Sequence, residues 1–175
     1  MFFHLKILAS TIKYKLISAI KRYQINKKTI SVDQKNYLEK LKKNGYVIIQ
    51  NYITKEECAK IVSKIDFCLE NYNEKIWNDK EVSDQRIFGS EIISEEINKF
   101  YHDKQIQLIG EKYTNYKMRN LMTMANRVKY KKNNQGSGRG WHKDAYYNQF
   151  KSILYFPIIN SDFLIFIIVE FRLHC

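Results

Sequence analysis

The stretch G-S-G-R-G-W-H-K-D-A-Y-Y-N-Q-F-K-S-I-L-Y-F-P, Gly136 to Pro157, decides how the rest of the chain is read. It opens as a glycine-rich loop and closes as a run of alternating apolar residues. Between them, His142 and Asp144 stand two positions apart. Side chains alternate along an extended segment, so both would point to one face. An imidazole and a carboxylate sharing a face are two of the three ligands of a 2-His-1-carboxylate site, which holds Fe(II) and leaves positions open for a co-substrate and O2. Four His and seven Asp are spread over the 175 residues. The triplet alone is therefore weak, and its context has to carry the assignment.

Working outward, the loop K-K-N-N-Q-G-S-G-R-G has the glycines of a phosphate cradle but neither the Walker spacing nor its Lys-Ser/Thr end. A lid before the metal segment is the better expectation. After Asp144, alternation puts Ile153 and Tyr155 on one face and Leu154 and Phe156 on the other. Upstream, Lys117 to Tyr130 is unbroken by Gly or Pro and reads as a strand. Thr123, Ala125, Arg127 and Lys129 would form its polar face. Met122, Met124, Asn126, Val128 and Tyr130 would form its core face.

The front half reads as helical. Asp33 is placed to cap a short helix with Tyr37, Leu38 and Leu41 inward and Gly45 as its stop. The run Y-V-I-I-Q, Tyr46 to Gln50, is β-rich. Thr54 and Glu57 form a capping box before Cys58, Ile61, Val62, Ile65, Leu69 and Tyr72 at helical steps, so Cys58 and Cys68 belong to core packing. Trp77 and Phe88 are expected as core anchors. Ser94 to Tyr113 reads as helix broken near Asp103, with His102 at the surface.

Composition bounds the class. With 45% hydrophobic and 14% aromatic residues, one Pro and six Gly, one ordered domain is expected. Three cysteines form neither a C-x-x-C pair nor an even disulfide framework, which fits a reducing, cytoplasmic setting. The net charge of +12 is concentrated: residues 1–45 hold eleven Lys and Arg against Asp33 and Glu39. Residues 1–30 form a basic amphipathic arm, with Leu5, Leu8, Ile12, Leu16 and Ile20 at helical spacing. Its lysines interrupt it too often for a membrane span, and no signal-peptide cleavage site follows. Packing on its own domain is the favoured expectation; contact of residues 1–24 with a membrane surface is the alternative. The near-neutral remainder argues against nucleic acid.

Two segments carry a family resemblance. Leu41 to Asp66, L-K-K-N-G-Y-V-I-I-Q-N-Y-I-T-K-E-E-C-A-K-I-V-S-K-I-D, resembles the N-terminal signature of the phytanoyl-CoA dioxygenase family, and W-H-K-D with F-K-S-I-L-Y-F resembles its metal motif and following strand. The resemblance implies an α+β fold over residues 31–175, with N-terminal helices packed on a double-stranded β-helix, the cupin-like jelly roll. It implies an Fe(II)/2-oxoglutarate-dependent hydroxylase: His142 and Asp144 on the metal, 2-oxoglutarate and O2 as co-substrates, and an unactivated C–H bond of a small-molecule substrate hydroxylated. R-V-K-Y-K, Arg127 to Lys131, is similar to a segment of ectoine hydroxylase and suggests Arg127 or Lys129 as a contact to 2-oxoglutarate. On the same footing Tyr155 would wall the active site, with core packing as the competing role.

The pattern is incomplete. The family supplies a second metal histidine well beyond the H-x-D and then an Arg or Lys for the distal carboxylate of 2-oxoglutarate. His174, in R-L-H-C, matches neither the distance nor the tail and receives no role. The expectation is a jelly roll incomplete at its C-terminus, from a truncated or frame-shifted and inactive member whose last thirteen residues are arbitrary. A native strand from Phe163 to Phe171, turned back through Asn160, Ser161 and Asp162, is the alternative. A non-catalytic, membrane-peripheral protein using the basic arm is the competing function.

Overall fold

The computed structural model describes residues 2–72, 76–133, 149–156 and 163–174. The described residues form five α-helices, α1 (Phe2–Lys27), α2 (Val32–Asn44), α3 (Lys55–Asn71), α4 (Glu95–Tyr101) and α5 (Lys104–Thr114), with one 3-10 turn at Ser90–Ile92. Five strands, β1 (Trp77–Asn78), β2 (Asp84–Phe88), β3 (Lys117–Lys129), β4 (Phe150–Phe156) and β5 (Phe163–His174), make one sheet of order β1-β2-β3-β5-β4. The mixed α+β class expected from the sequence is present. The pairs β1–β2, β2–β3 and β4–β5 are antiparallel.

The chain divides into two compact units, one of residues 1–48, 104–119 and 173–175, the other of 49–103 and 120–172. In the first, α2 begins on Ser31, not Asp33: the Ser31 hydroxyl accepts from the Gln34 backbone N–H, and the Gln34 side chain accepts from the Ser31 N–H. A cap needs its oxygen just outside the first turn, and Asp33 already lies within it, where its charge favours the helix dipole. The helix stops at Gly45, whose φ of 80° is open to glycine at little cost. Leu38 and Leu41 are buried, and Tyr37 is half-buried. Glu111 of α5 is buried too, its carboxylate 2.8 Å from the Lys28 ammonium and accepting from the Met118 backbone N–H. That hydrogen bond holds the Lys28 pKa above its ordinary value against a smaller opposing effect of burial.

In the second unit the Thr54–Glu57 capping box opens α3 as expected, and Ile61, Ile65 and Leu69 form its buried stripe. Ser94 caps α4, and the helical stretch breaks at His102 and Asp103 before α5. Tyr46 to Ile49 is not a strand. A short apolar run becomes one only where a neighbouring backbone pairs its N–H and C=O groups, and no described residue does so here; Tyr46 and Ile48 stay exposed. Trp77 and Phe88 are not core anchors, being 40% and 50% exposed. Trp77 sits on a two-residue edge strand with the Arg86 guanidinium 4.6 Å over its ring, a stacking that keeps one end of the pair in water.

The two faces of β3 do not divide as its alternation suggests. Thr123 and Ala125, on the expected polar face, are 0% and 1% exposed, and Met124 and Asn126 on the other are buried as well. A strand covered on both faces loses the period of two from its burial pattern. Thr123 is reconciled with burial by hydrogen bonds to Ser90, the Glu91 backbone N–H and the Glu91 carboxylate.

The segment expected to be arbitrary is the strand between β3 and β4. Ile165, Ile167 and Val169 of β5 are fully buried, and Phe150↔Phe171 through Phe156↔Ile165 pair in continuous register. A strand paired back on β4, which the alternative expected over Phe163 to Phe171, is observed over Phe163–His174. The connecting residues Asn160, Ser161 and Asp162 lie outside the described residues.

Candidate functional site

The residues singled out from sequence fall in three places. His142 and Asp144, the metal ligands, lie with the glycine-rich loop outside the described residues, in the connection between β3 and β4. Arg127 and Lys129 lie at the end of β3, and Tyr155 on β4. Since β5 separates β3 from β4, Tyr155 is two strand spacings from β3, about 10 Å in the sheet.

Arg127 is built into the framework. Pairing of β2 with β3 sets Gln85 opposite Arg127, so their side chains share a face. The Gln85 side-chain oxygen accepts from Arg127 Nε at 3.0 Å and Nη2 at 2.7 Å, while Nη1 donates to Asp66 Oδ1 of α3 at 3.1 Å. Three guanidinium donors are thus engaged within the protein, and a dicarboxylate reaching Arg127 would compete with Asp66. Lys129 is differently placed. Its backbone N–H donates to Ser83 O at 2.7 Å, closing the end of the β2–β3 ladder, and its side chain is exposed.

Tyr155 is 59% exposed, on the open face with Ile153, while Leu154 and Phe156 are buried as the alternation requires. Core packing is therefore not its role. Its ring lies 5.9 Å from that of Phe166, its cross-strand partner. The same face carries the Lys151–Glu170 ion pair at 3.0 Å, so it is apolar toward one end and charged toward the other.

Several polar arrangements gave no motif in the sequence. Asp84 accepts from Arg86 through both carboxylate oxygens. The Tyr52 hydroxyl donates to Asp103, and burial, together with that carboxylate, pushes the Tyr52 pKa well above its ordinary value. Asp66 had one legible signal: it follows Ile65 of the buried α3 stripe, and a carboxylate beside such a stripe calls for a cation. Cys58 and Cys68 are half-buried, and burial raises the Cys58 thiol, which fits packing rather than a reactive thiolate. The recess at the start of α3, lined by Asn51, Tyr52, Ile53, Thr54, Lys55 and Glu57, is formed by chain neighbours only and is a crease of the turn.

Among the described residues no group of three His, Cys, Asp or Glu side chains is placed to hold a metal. The donor chemistry of His142 and Asp144, one neutral imidazole and one carboxylate, does suit Fe(II). Comparison with protein-family models, with curated proteins and with solved structures finds no match.

Proposed function

We propose that this chain is a relative of the Fe(II)/2-oxoglutarate-dependent oxygenases of the phytanoyl-CoA dioxygenase type, inactive as it stands, with His142 and Asp144 as metal ligands. One observation carries the proposal: the Leu41–Asp66 segment and W-H-K-D occur in the family's order, the second leading directly into β4. Local structure supports the first segment, since α2 ends on left-handed Gly45 and α3 opens on the Thr54–Glu57 box. The finer architecture proposed is a double-stranded β-helix, to which the five-stranded sheet would contribute one layer.

In this reading His142 binds as neutral imidazole and Asp144 as carboxylate, and Lys129 is better placed than Arg127 to meet a dicarboxylate, because Asp66 and Gln85 already take the guanidinium. Tyr155 would wall a substrate on the open face of β4 and β5. The bound iron supplies oxidation of an unactivated C–H bond at the expense of 2-oxoglutarate and O2. With one imidazole and one carboxylate assigned, metal binding is expected to be weak and 2-oxoglutarate turnover no faster than with free iron.

Anaerobic titration of Fe(II) or Co(II) into the wild type and His142→Ala tests the ligands. At least a ten-fold loss of affinity in the variant is expected, about 1.4 kcal/mol; equal affinities would overturn the assignment. Succinate formation indistinguishable between wild type and Asp144→Ala is the expected activity result. Succinate above that mutant's level and lost in His174→Ala would instead give His174 the third ligand position.

A further inference from the structure

Helix α1 is packed at one end and open along most of its described length. Ile25 is fully buried, the Arg22 guanidinium lies 5.5 Å over the Tyr116 ring, and the Lys112 ammonium of α5 donates to Asn26 O at 3.0 Å. Half-buried Ser18 and Lys21 continue the covered line from Ile25. Advancing about 100° per residue, Ile12, Leu16, Ile20 and Tyr23 fall within an arc of about 80° centred on the side opposite Ile25. Those four are 58%, 61%, 50% and 60% exposed. The described part of the apolar stripe therefore lies opposite the side that packs, while the end of the helix around Ile25 does pack on its own unit.

Charge follows the stripe. Exposed Lys13 and Lys15 flank it on either side, and no Asp or Glu occurs in the 26 residues of α1. The unit that contains α1 holds fifteen Lys and Arg against Asp33, Glu39 and Glu111, so it carries the whole formal charge of +12, and the other unit is balanced at fifteen of each sign. No helix among the described residues is long and apolar enough to cross a membrane.

We propose that α1 lies in the plane of an anionic membrane surface, with Ile12, Leu16, Ile20 and Tyr23 entering the boundary of the acyl chains and Lys13 and Lys15 at the lipid phosphates. An apolar stripe bordered by lysines matches that boundary, where long cationic side chains bury their stems and keep their ammonium groups among the headgroups. A second copy of the helix fits worse, because it would bring the unbalanced lysines of two basic helices together. A nucleic acid would engage the lysines and leave the aliphatic stripe in water. The inference is independent of the iron chemistry, since α1 contributes none of its residues.

The test uses the full chain with vesicles of phosphatidylcholine alone or with phosphatidylserine added, read by flotation. Binding at least ten-fold tighter to the anionic vesicles is expected, weakening as salt shortens the screening length below about 10 Å. The double variant Leu16→Gln/Ile20→Gln should lose at least ten-fold on the anionic vesicles. Lys13→Gln/Lys15→Gln should lose several-fold and flatten the salt dependence. All four side chains are exposed, so circular dichroism should show both variants folded. Equal binding to neutral vesicles, full binding by Leu16→Gln/Ile20→Gln, or a dimer in sedimentation equilibrium that this variant dissolves would each overturn the proposal.

Discussion

Arg127 on β3 and Asp66 on α3 meet at 3.1 Å, and with Gln85 on β2 they tie a helix to two strands through one guanidinium. The pair is partly exposed, 24% and 33% by side chain, so solvent screens part of its attraction. Arg127→Met should cost about 1–2 kcal/mol and lower Tm by about 2–8 °C. A double-mutant cycle with Asp66→Asn should give a coupling of about 0.5–1 kcal/mol. Unchanged stability in Arg127→Met would mean the guanidinium is spare and available to a ligand.

The Thr54–Glu57 capping box should be separable into its two halves. Thr54→Ala removes the acceptor of the Glu57 backbone N–H and should cost about 1 kcal/mol by urea unfolding. Glu57→Gln keeps an oxygen for the Thr54 N–H and should cost less than half of that. Equal losses would show that the carboxylate charge at the start of α3, rather than the reciprocal hydrogen bonds, provides the effect.

Acid should erode the cap of α4. The Ser94 hydroxyl donates to the Glu96 carboxylate, and this bond, more than any other contact, holds the Glu96 pKa below its ordinary value. A carboxyl whose folded pKa is depressed contributes stability present above its unfolded value, 4.5, and lost as pH falls through the folded one. The cost of Ser94→Ala should therefore be largest at neutral pH, about 1 kcal/mol, and smaller below the Glu96 transition, where only the hydroxyl's bonds to the Glu96 and Ile97 N–H groups remain. A cost that grows on acidification would contradict this.

The two faces of the β4–β5 pair should differ sharply under mutation. Ile167 is fully buried, and Ile167→Ala should cost about 2–5 kcal/mol through lost contacts and the cavity left behind. Tyr155→Ser, on the open face, should stay within about 1 kcal/mol, the worth of its contact with Phe166. Thermal or urea unfolding of both variants decides. A small effect of Ile167→Ala would detach β5 from the folded core.

What the sequence determined by itself was local: the Thr54–Glu57 box, the Gly45 stop, the Ser94 start with its break near Asp103, and the alternation of Ile153 to Phe156. Each rests on bonds or steric limits spanning only a few residues, so the pattern and its cause lie in the same window. The tertiary structure decided whatever depends on a distant partner. Tyr46 to Ile49 has strand composition but finds no ladder among the described residues, while the segment from Phe163 is central because β3 and β4 lie on either side of it. Thr123 and Ala125 are buried because β3 is covered on both faces, and Arg127 is claimed by Asp66, sixty-one positions earlier. The same holds for α1: helical spacing drew the stripe from Ile12 to Ile20, and only the burial of Ile25 on the opposite side showed that it is not the face packed within its own unit.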